Sequence, residues 1–268
     1  MLPSFHILAS SSSGNAALLD TGEEKVLVDC GLSGKRISEL SKACGAGIDE
    51  IKAVFITHEH QDHAGGLPGL QKHPHLEIIS SQGTAHLLRQ KAEKFSRWST
   101  FASGARLRLG TLEVETHRIP HDAIDPVAYT FQWGGSSLFS PPCKLGWVLD
   151  LGYFPSTLAA SLATCDVLVI EANHDEQMLE QNPNRPWSLK QRVRGRHGHL
   201  SNRETLEALL AVASPAWKHL CLVHLSRDCN HPSVVQDTFA PLLNSIPGLR
   251  LQIVDPQNKD PLPIPVGH

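Results

Sequence analysis

Residues 57–66 read Thr57-His58-Glu59-His60-Gln61-Asp62-His63-Ala64-Gly65-Gly66, directly after the wholly apolar run 53–56. Side chains repeat every two residues along an extended segment, so His58 and His60 point to one side. Asp62 and His63 then turn onto the start of a helix and aim at a second, adjacent position. Imidazole and carboxylate together suit zinc, iron or manganese. One histidine here would read as part of a polar surface loop. Four potential ligands in six residues after a buried strand read as a metal site, the strand being the context that tests the motif.

Around this segment the composition bounds the molecule. The chain has 268 residues, 41% of them hydrophobic, which suits one large α/β domain or two small ones. Lys plus Arg is 24 against 27 for Asp plus Glu, a formal net charge of -3, which excludes a basic, arm-type nucleic-acid binder but not a local basic patch. No stretch reaches the roughly 18 to 20 apolar residues of a membrane helix. The opening Met1-Leu2-Pro3-Ser4-Phe5-His6 has no charged region followed by an apolar run, so no secretory signal is expected. Six scattered cysteines without a CxxC pair read as reduced cytoplasmic thiols. Sixteen histidines stand out because several are grouped.

Strands are expected at 5–9, 16–19, 25–28, 53–56, 76–79, 111–119, 127–133, 146–149, 167–170, 220–225 and 249–254, from β-branched or apolar runs bounded by turn residues. Helices are expected at 33–44, 84–91, 157–163 and 233–243, and another opens at Ser201, where Ser201-Asn202-Arg203-Glu204 fits a capping box. The proline-rich tail from Asp255 is expected to wrap the surface. Two β-rich halves without a clear linker argue for a single layered domain over 1–268, sheet on sheet.

The segment 57–66 resembles the signature of the metallo-β-lactamase fold superfamily of metal-dependent hydrolases, and Leu27-Val28-Asp29-Cys30-Gly31 precedes it in the same pattern. Five further segments are together similar to the YycJ/WalJ group: Ala9-Ser10-Ser11-Ser12-Ser13-Gly14-Asn15, Pro120-His121-Asp122-Ala123, Glu171-Ala172-Asn173-His174-Asp175, Gly198-His199-Leu200-Ser201-Asn202 and His224-Leu225-Ser226. Relatives of that group are tRNase Z, the RNase J ribonucleases and the PhnP phosphodiesterases. The resemblance implies an α+β fold, a four-layer αβ/βα sandwich of two mixed β-sheets packed face to face with helices outside.

It also implies site residues. His58, His60 and His121 would hold one divalent ion, Asp62, His63 and His224 another, and Asp150 would bridge both. Zn2+ is the expected ion, with Mn2+ or Fe2+ compatible. The family usually has Thr before the bridging Asp, where this chain has Leu149. His199 and Asp62 are the implied catalytic residues, His199 as proton donor to the leaving oxygen; His197 is the competing candidate. Asp29 would orient a metal-bound imidazole, and Glu59 would be structural. Ser12, Ser13, Asn15 and Asn173 are candidate substrate contacts, since backbone amides of a Ser-Gly-Asn turn can form an anion-binding concavity. His73, His75, His86, His117, His219 and His268 have no supporting pattern and are expected to be ordinary; His174 and His231 adjoin family-like asparagines.

A binuclear site of this kind activates a bridging hydroxide for attack on a phosphodiester. The expected activity is a nuclease, 5′ exonuclease-like on single-stranded DNA or RNA. Its basic stretch would be Lys190-Gln191-Arg192-Val193-Arg194-Gly195-Arg196, near Arg203. Trp98 and Trp187 are expected in the core, with base stacking the alternative use. Competing functions on the same fold are thioester or lactone hydrolysis of the glyoxalase II type and a small cyclic phosphodiesterase. A di-iron oxidoreductase would need a carboxylate at His60, and a dead scaffold would have lost ligands. No membrane partner is expected, and the sequence leaves the oligomeric state open.

Overall fold

The structure is a computed structural model that describes residues 2–137 and 140–266, so His268 lies outside the described residues. The chain opens with β1 (Ser4–Ala9), β2 (Ala16–Asp20), β3 (Lys25–Val28), α1 (Gly34–Ala43), a 3-10 turn (Ile48–Glu50) and β4 (Ala53–Phe55). There follow α2 (Gln61–Ala64), α3 (Leu67–Leu70), β5 (Glu77–Ser81), α4 (Gln82–Arg89), β6 (Trp98–Phe101), β7 (Arg106–Leu109) and β8 (Leu112–Arg118). The remainder is β9 (Val127–Ser137), β10 (Ser140–Val148), α5 (Ser156–Leu162), β11 (Val167–Glu171), α6 (Glu176–Gln181) and α7 (Trp187–Val193). It closes with α8 (Asn202–Ala211), β12 (His219–Val223), α9 (Pro232–Ser245), β13 (Arg250–Ile253) and β14 (Leu262–Ile264).

The fold is α+β, with two mixed seven-stranded sheets ordered β14-β1-β2-β3-β4-β5-β6 and β13-β12-β11-β10-β9-β8-β7. By internal contacts the chain divides into two compact units. The first comprises Met1–Arg118, Ala123–Cys143 and Asn258–His268; the second comprises Ile119–Asp122 and Lys144–Gln257.

In the first unit β1, β2 and β3 are antiparallel, whereas β3, β4, β5 and β6 run parallel. Parallel register pairs Val28 with Phe55, so the chain leaves β3 and β4 at the same edge. Beneath that edge Leu27, Val54, Ile56 and Ile78 pack with Ile37 and Leu40 of α1 and with Leu67 and Leu88. Ser33 caps α1 by accepting from the Arg36 amide at 3.3 Å. The tail does not simply wrap the surface: β14 pairs antiparallel with β1, Phe5 opposite Ile264. The Leu-Pro-Ile strand is tolerated because it takes the sheet edge, where Pro263 owes no ladder bond on its outer side.

In the second unit β11 and β12 are buried along their whole length and pair in parallel, Val169 opposite Cys221. Near-continuous apolar runs are what a parallel strand covered on both faces requires. The register brings the ends of β10, β11 and β12 level, with Val148 opposite Ile170 and Glu171 opposite Val223. Ser201 and Glu204 form the capping box of α8, through Ser201 Oγ to the Glu204 amide at 3.2 Å and Glu204 Oε2 to the Ser201 amide at 2.8 Å. No described helix is long and apolar enough to cross a membrane.

Candidate metal centre

Among the described residues three non-glycine positions have positive φ: Asp29 at 58°, Asp150 at 61° and His224 at 57°. Each follows the carboxyl end of a parallel strand. Left-handed backbone is disfavoured for residues with a Cβ and is retained where surrounding structure over-determines it, commonly at functional sites. In open α/β sheets, loops at the carboxyl ends of strands are also where ligands bind.

In the first unit the left-handed turn at Asp29 aims its carboxylate across to the loop after β4. Oδ1 accepts from the Thr57 amide at 2.9 Å, and Oδ2 lies 2.9 Å from His63 Nδ1. Thr57 Oγ1 joins the same network and lies 3.0 Å from His58 Nδ1. The imidazoles crowd together, with ring centroids 4.6 Å apart for His58 and His60 and 4.2 Å for His58 and His63. Asp62 Oδ2 is 3.5 Å from His63 Nε2. His58 and His63 are buried, while His60 and Asp62 are half-buried. Glu59 turns to the neighbouring loop and accepts from the Ile124 amide at 2.9 Å.

In the second unit Glu171 is the hub. It is fully buried, and Oε1 accepts from the amides of Leu151 and Leu200. Its Oε2 lies 3.1 Å from His199 Nδ1 and 3.3 Å from His224 Nδ1. Asp150 Oδ1 is 3.1 Å from the same Nδ1 atoms of both histidines. Asp150, Glu171, His199 and His224 thus bring ligand-type atoms within 4.8 Å of one another. Burial works against a charge on His199, but Glu171 and Asp150 outweigh it and raise its pKa to about 10. Burial likewise opposes ionisation of Glu171, yet His199 and His224 hold its pKa at about 2. His121, held at Nδ1 by the Gly198 carbonyl at 3.2 Å, sits 5.3 Å from His199 between ring centroids. Its burial lowers its pKa despite the pull of Asp150, which favours the neutral imidazole that can donate a lone pair to a metal. His197 is exposed, and its carbonyl accepts from the Asp122 amide at 3.1 Å.

The donor set fits divalent cations. His58, His63, His121 and His224 are each engaged at Nδ1 by a hydroxyl, carboxylate or carbonyl. Metal-binding imidazoles are oriented in this way through their other ring nitrogen. Buried imidazole and carboxylate donors of this kind imply divalent metal ions.

Two expected substrate contacts are spoken for internally. Asn15 is fully buried; its Oδ1 accepts from Ser10 Oγ at 2.8 Å and from the Ser11 amide at 3.2 Å. Its backbone amide donates to the Asp62 carbonyl at 2.7 Å, so Asn15 fixes the ligand loop instead of facing solvent. The Ser13 amide goes to Ser11 Oγ and the Gly14 amide to the Ser11 carbonyl, which removes these two donors from the expected anion concavity; Ser12 and Ser13 themselves are exposed. Asn173 is buried and its Nδ2 donates to the His224 carbonyl at 3.0 Å, holding the left-handed turn. Glu171 was missed as a functional residue, although its signal equals that of Asp150: a carboxylate closing an apolar strand. His174 is buried, which lowers its pKa to about 4. His73 and His75 fasten the turn before β5 to residues 48–49, through Asp49 and the Ile48 carbonyl.

Comparison with known proteins places these sites in a lineage. The family model described as "Beta-lactamase superfamily domain" matches residues 24–225. The Exodeoxyribonuclease YycJ of Bacillus anthracis is 32% identical over 245 residues, covering 89% of this chain and 88% of that protein. The Exodeoxyribonuclease WalJ of Streptococcus pneumoniae is 32% identical over 231 residues, covering 84% of this chain and 82% of that protein. The crystal structure of Zn2+-bound PqqB from Methylobacterium extorquens shares the fold, with a TM-score of 0.70 at 16% identity over 98% of this chain and 99% of that one.

Proposed function

The chain belongs to the beta-lactamase superfamily domain family, and from that premise we propose that it is a binuclear metal-dependent phosphodiesterase that trims single-stranded nucleic acid as a 5′ exonuclease. The observation that carries this is the 32% identity to two exodeoxyribonucleases over most of both chains. His58, His60 and His121 are assigned to one ion, Asp62, His63 and His224 to the other, with Asp150 shared. Zn2+ is the assigned ion, by its affinity for imidazole and carboxylate, with Mn2+ and Fe2+ as working substitutes. Two such ions, when bound, supply a nucleophile from water at neutral pH and neutralise charge on the phosphoryl group.

The remaining work falls to the chain. Asp29 and Thr57 hold His58 and His63 in one orientation, and Glu171 does the same for His199 and His224. His199 is 22% exposed at its side chain. With Nδ1 turned to the carboxylates, it presents its other ring nitrogen as the donor that protonates the leaving oxygen. Six cysteines with no disulfide among the described residues are in keeping with a cytoplasmic enzyme.

The test is one panel on purified, metal-loaded protein: 5′- and 3′-labelled single-stranded DNA and RNA, bis-p-nitrophenyl phosphate, a lactone and a glutathione thioester. Diester cleavage with release of the 5′ label as mononucleotide is expected. Hydrolysis of the lactone or thioester without diester cleavage would overturn the proposal.

A further inference from the structure

The basic stretch before His199 is largely neutralised within its own unit. Arg192 pairs with Asp122 at 2.6 Å, Arg194 with Glu180 at 2.6 Å, Arg185 with Asp228 at 3.3 Å and Arg203 with Glu207 at 3.2 Å. Lys190 donates to the Glu180 carbonyl. These cations would meet a phosphate in competition with carboxylates of the chain itself. Arg196 differs: it has no carboxylate partner among the described residues, and its guanidinium carbon lies 4.9 Å from the centroid of the Tyr153 ring. Tyr153 is 43% exposed, one of five large hydrophobic side chains left open to solvent among the described residues.

The pair is built into the ligand loops. Tyr153 follows Asp150 by three residues and Arg196 precedes His199 by three. The loop that carries Tyr153 is fastened at the Gly152 amide, which donates to the Pro120 carbonyl at 2.8 Å. A Cβ on Gly152 would collide with the Arg196 carbonyl, so only glycine lets the two loops approach closely enough for the ring and guanidinium to meet. Asp150 and His199 themselves are 3.1 Å apart. An exposed aromatic on a metal-ligand loop, carrying an uncompensated fork of N–H donors, is complementary to a flat base joined to an anionic phosphate. Stacking on such a ring is tolerant of sequence.

Resting on the nuclease function proposed above, we infer that Tyr153 and Arg196 form the platform that holds the nucleotide next to the scissile phosphate. The base stacks on Tyr153 and the Arg196 guanidinium engages the adjoining phosphate. Both are positioning residues for a single strand and take no part in bond cleavage.

The test measures binding and turnover separately on the full, metal-loaded chain. Binding is read by fluorescence anisotropy with a fluorescein-labelled thymidine oligonucleotide carrying cleavage-resistant phosphorothioate linkages. Tyr153→Ala should weaken binding about tenfold, within the range for loss of one base stack, and Tyr153→Phe should bind as wild type. Arg196→Ala should lower the slope of log affinity against log salt by about 0.7, the share of one single-strand phosphate contact. With a cleavable thymidine oligonucleotide the loss should fall on KM, and turnover at saturating oligonucleotide should stay within twofold in all three variants. Wild-type protein that does not bind the oligonucleotide, Tyr153→Ala binding within twofold of wild type, or a loss that falls on turnover at saturation with KM unchanged would each overturn the platform. Failure of the nuclease function itself appears separately, as wild-type protein that cleaves no phosphodiester.

Discussion

Glu171→Gln isolates one charge at the centre of the second unit. The side chain is fully buried and of nearly the same size in both forms, so packing is conserved. The amide oxygen can still accept from the Leu151 and Leu200 amides, as Oε1 does in the wild type. The amide NH2 would instead face the Nδ1 atoms of His199 and His224, at 3.1 and 3.3 Å from the present Oε2. Two charge-assisted hydrogen bonds at about 1.5 to 3 kcal/mol each are lost. That sum overlaps the roughly 3 to 5 kcal/mol for breaking a buried ion pair by removing one partner. We therefore expect Glu171→Gln to lose about 3 to 5 kcal/mol, or about 6 to 20 °C in Tm for a chain of this size. The assay is denaturant unfolding of wild type and variant, both stripped with EDTA so that metal binding does not add to the native state. A loss below about 0.5 kcal/mol would refute the role of Glu171 as a buried hub.

Three other perturbations give separate readouts. Asp29→Asn keeps a residue that tolerates the positive φ of 58° but weakens the brace on His63, so metal affinity by competition with a chelator should fall roughly 10- to 100-fold; an unchanged affinity would count against the brace. His174 is buried with its pKa lowered to about 4 from 6.5. The unfolded chain therefore binds a proton on it that the folded chain refuses between those values, and stability falls as pH drops from 6.5 through 4, by up to about 3 kcal/mol. His174→Gln should flatten that part of the stability profile, and identical profiles would exclude the effect. His199→Ala should retain its metal content and slow cleavage most for diesters with poor leaving groups, whereas equal slowing across leaving groups would remove its role as proton donor.

Much of the fold was legible because its core strands are short apolar runs. β3, β4, β11 and β12 are each a buried block that stands out against polar turns. The strands that escaped lie at sheet edges. β6 and β7 carry Ser, Thr and Arg on exposed positions, and β14 is a Leu-Pro-Ile tripeptide whose strand character comes only from pairing with β1. The strand expected at 220–225 stops at Val223 because His224 turns left-handed, a conformation with no composition signal in a histidine. Among candidate site residues, HxHxDH was readable because its potential ligands are close together in the chain. Asn15 and Asn173, expected as substrate contacts, are hydrogen-bonded within the chain, and sequence shows a polar side chain but not where its hydrogen bonds go. Trp187, expected in the core, is 63% exposed at the first residue of α7; a seven-residue helix followed by a basic loop has too small an apolar face to cover it. Trp98 does pack edge-on against Phe95.

The most direct test of the central claim is metal content per chain, measured by elemental analysis after loading with Zn2+ and removing free ion by gel filtration. Two equivalents are expected for the wild type, with fewer in both His60→Ala and Asp150→Ala. A wild-type chain that retains no zinc, or variants that keep two equivalents, would contradict it.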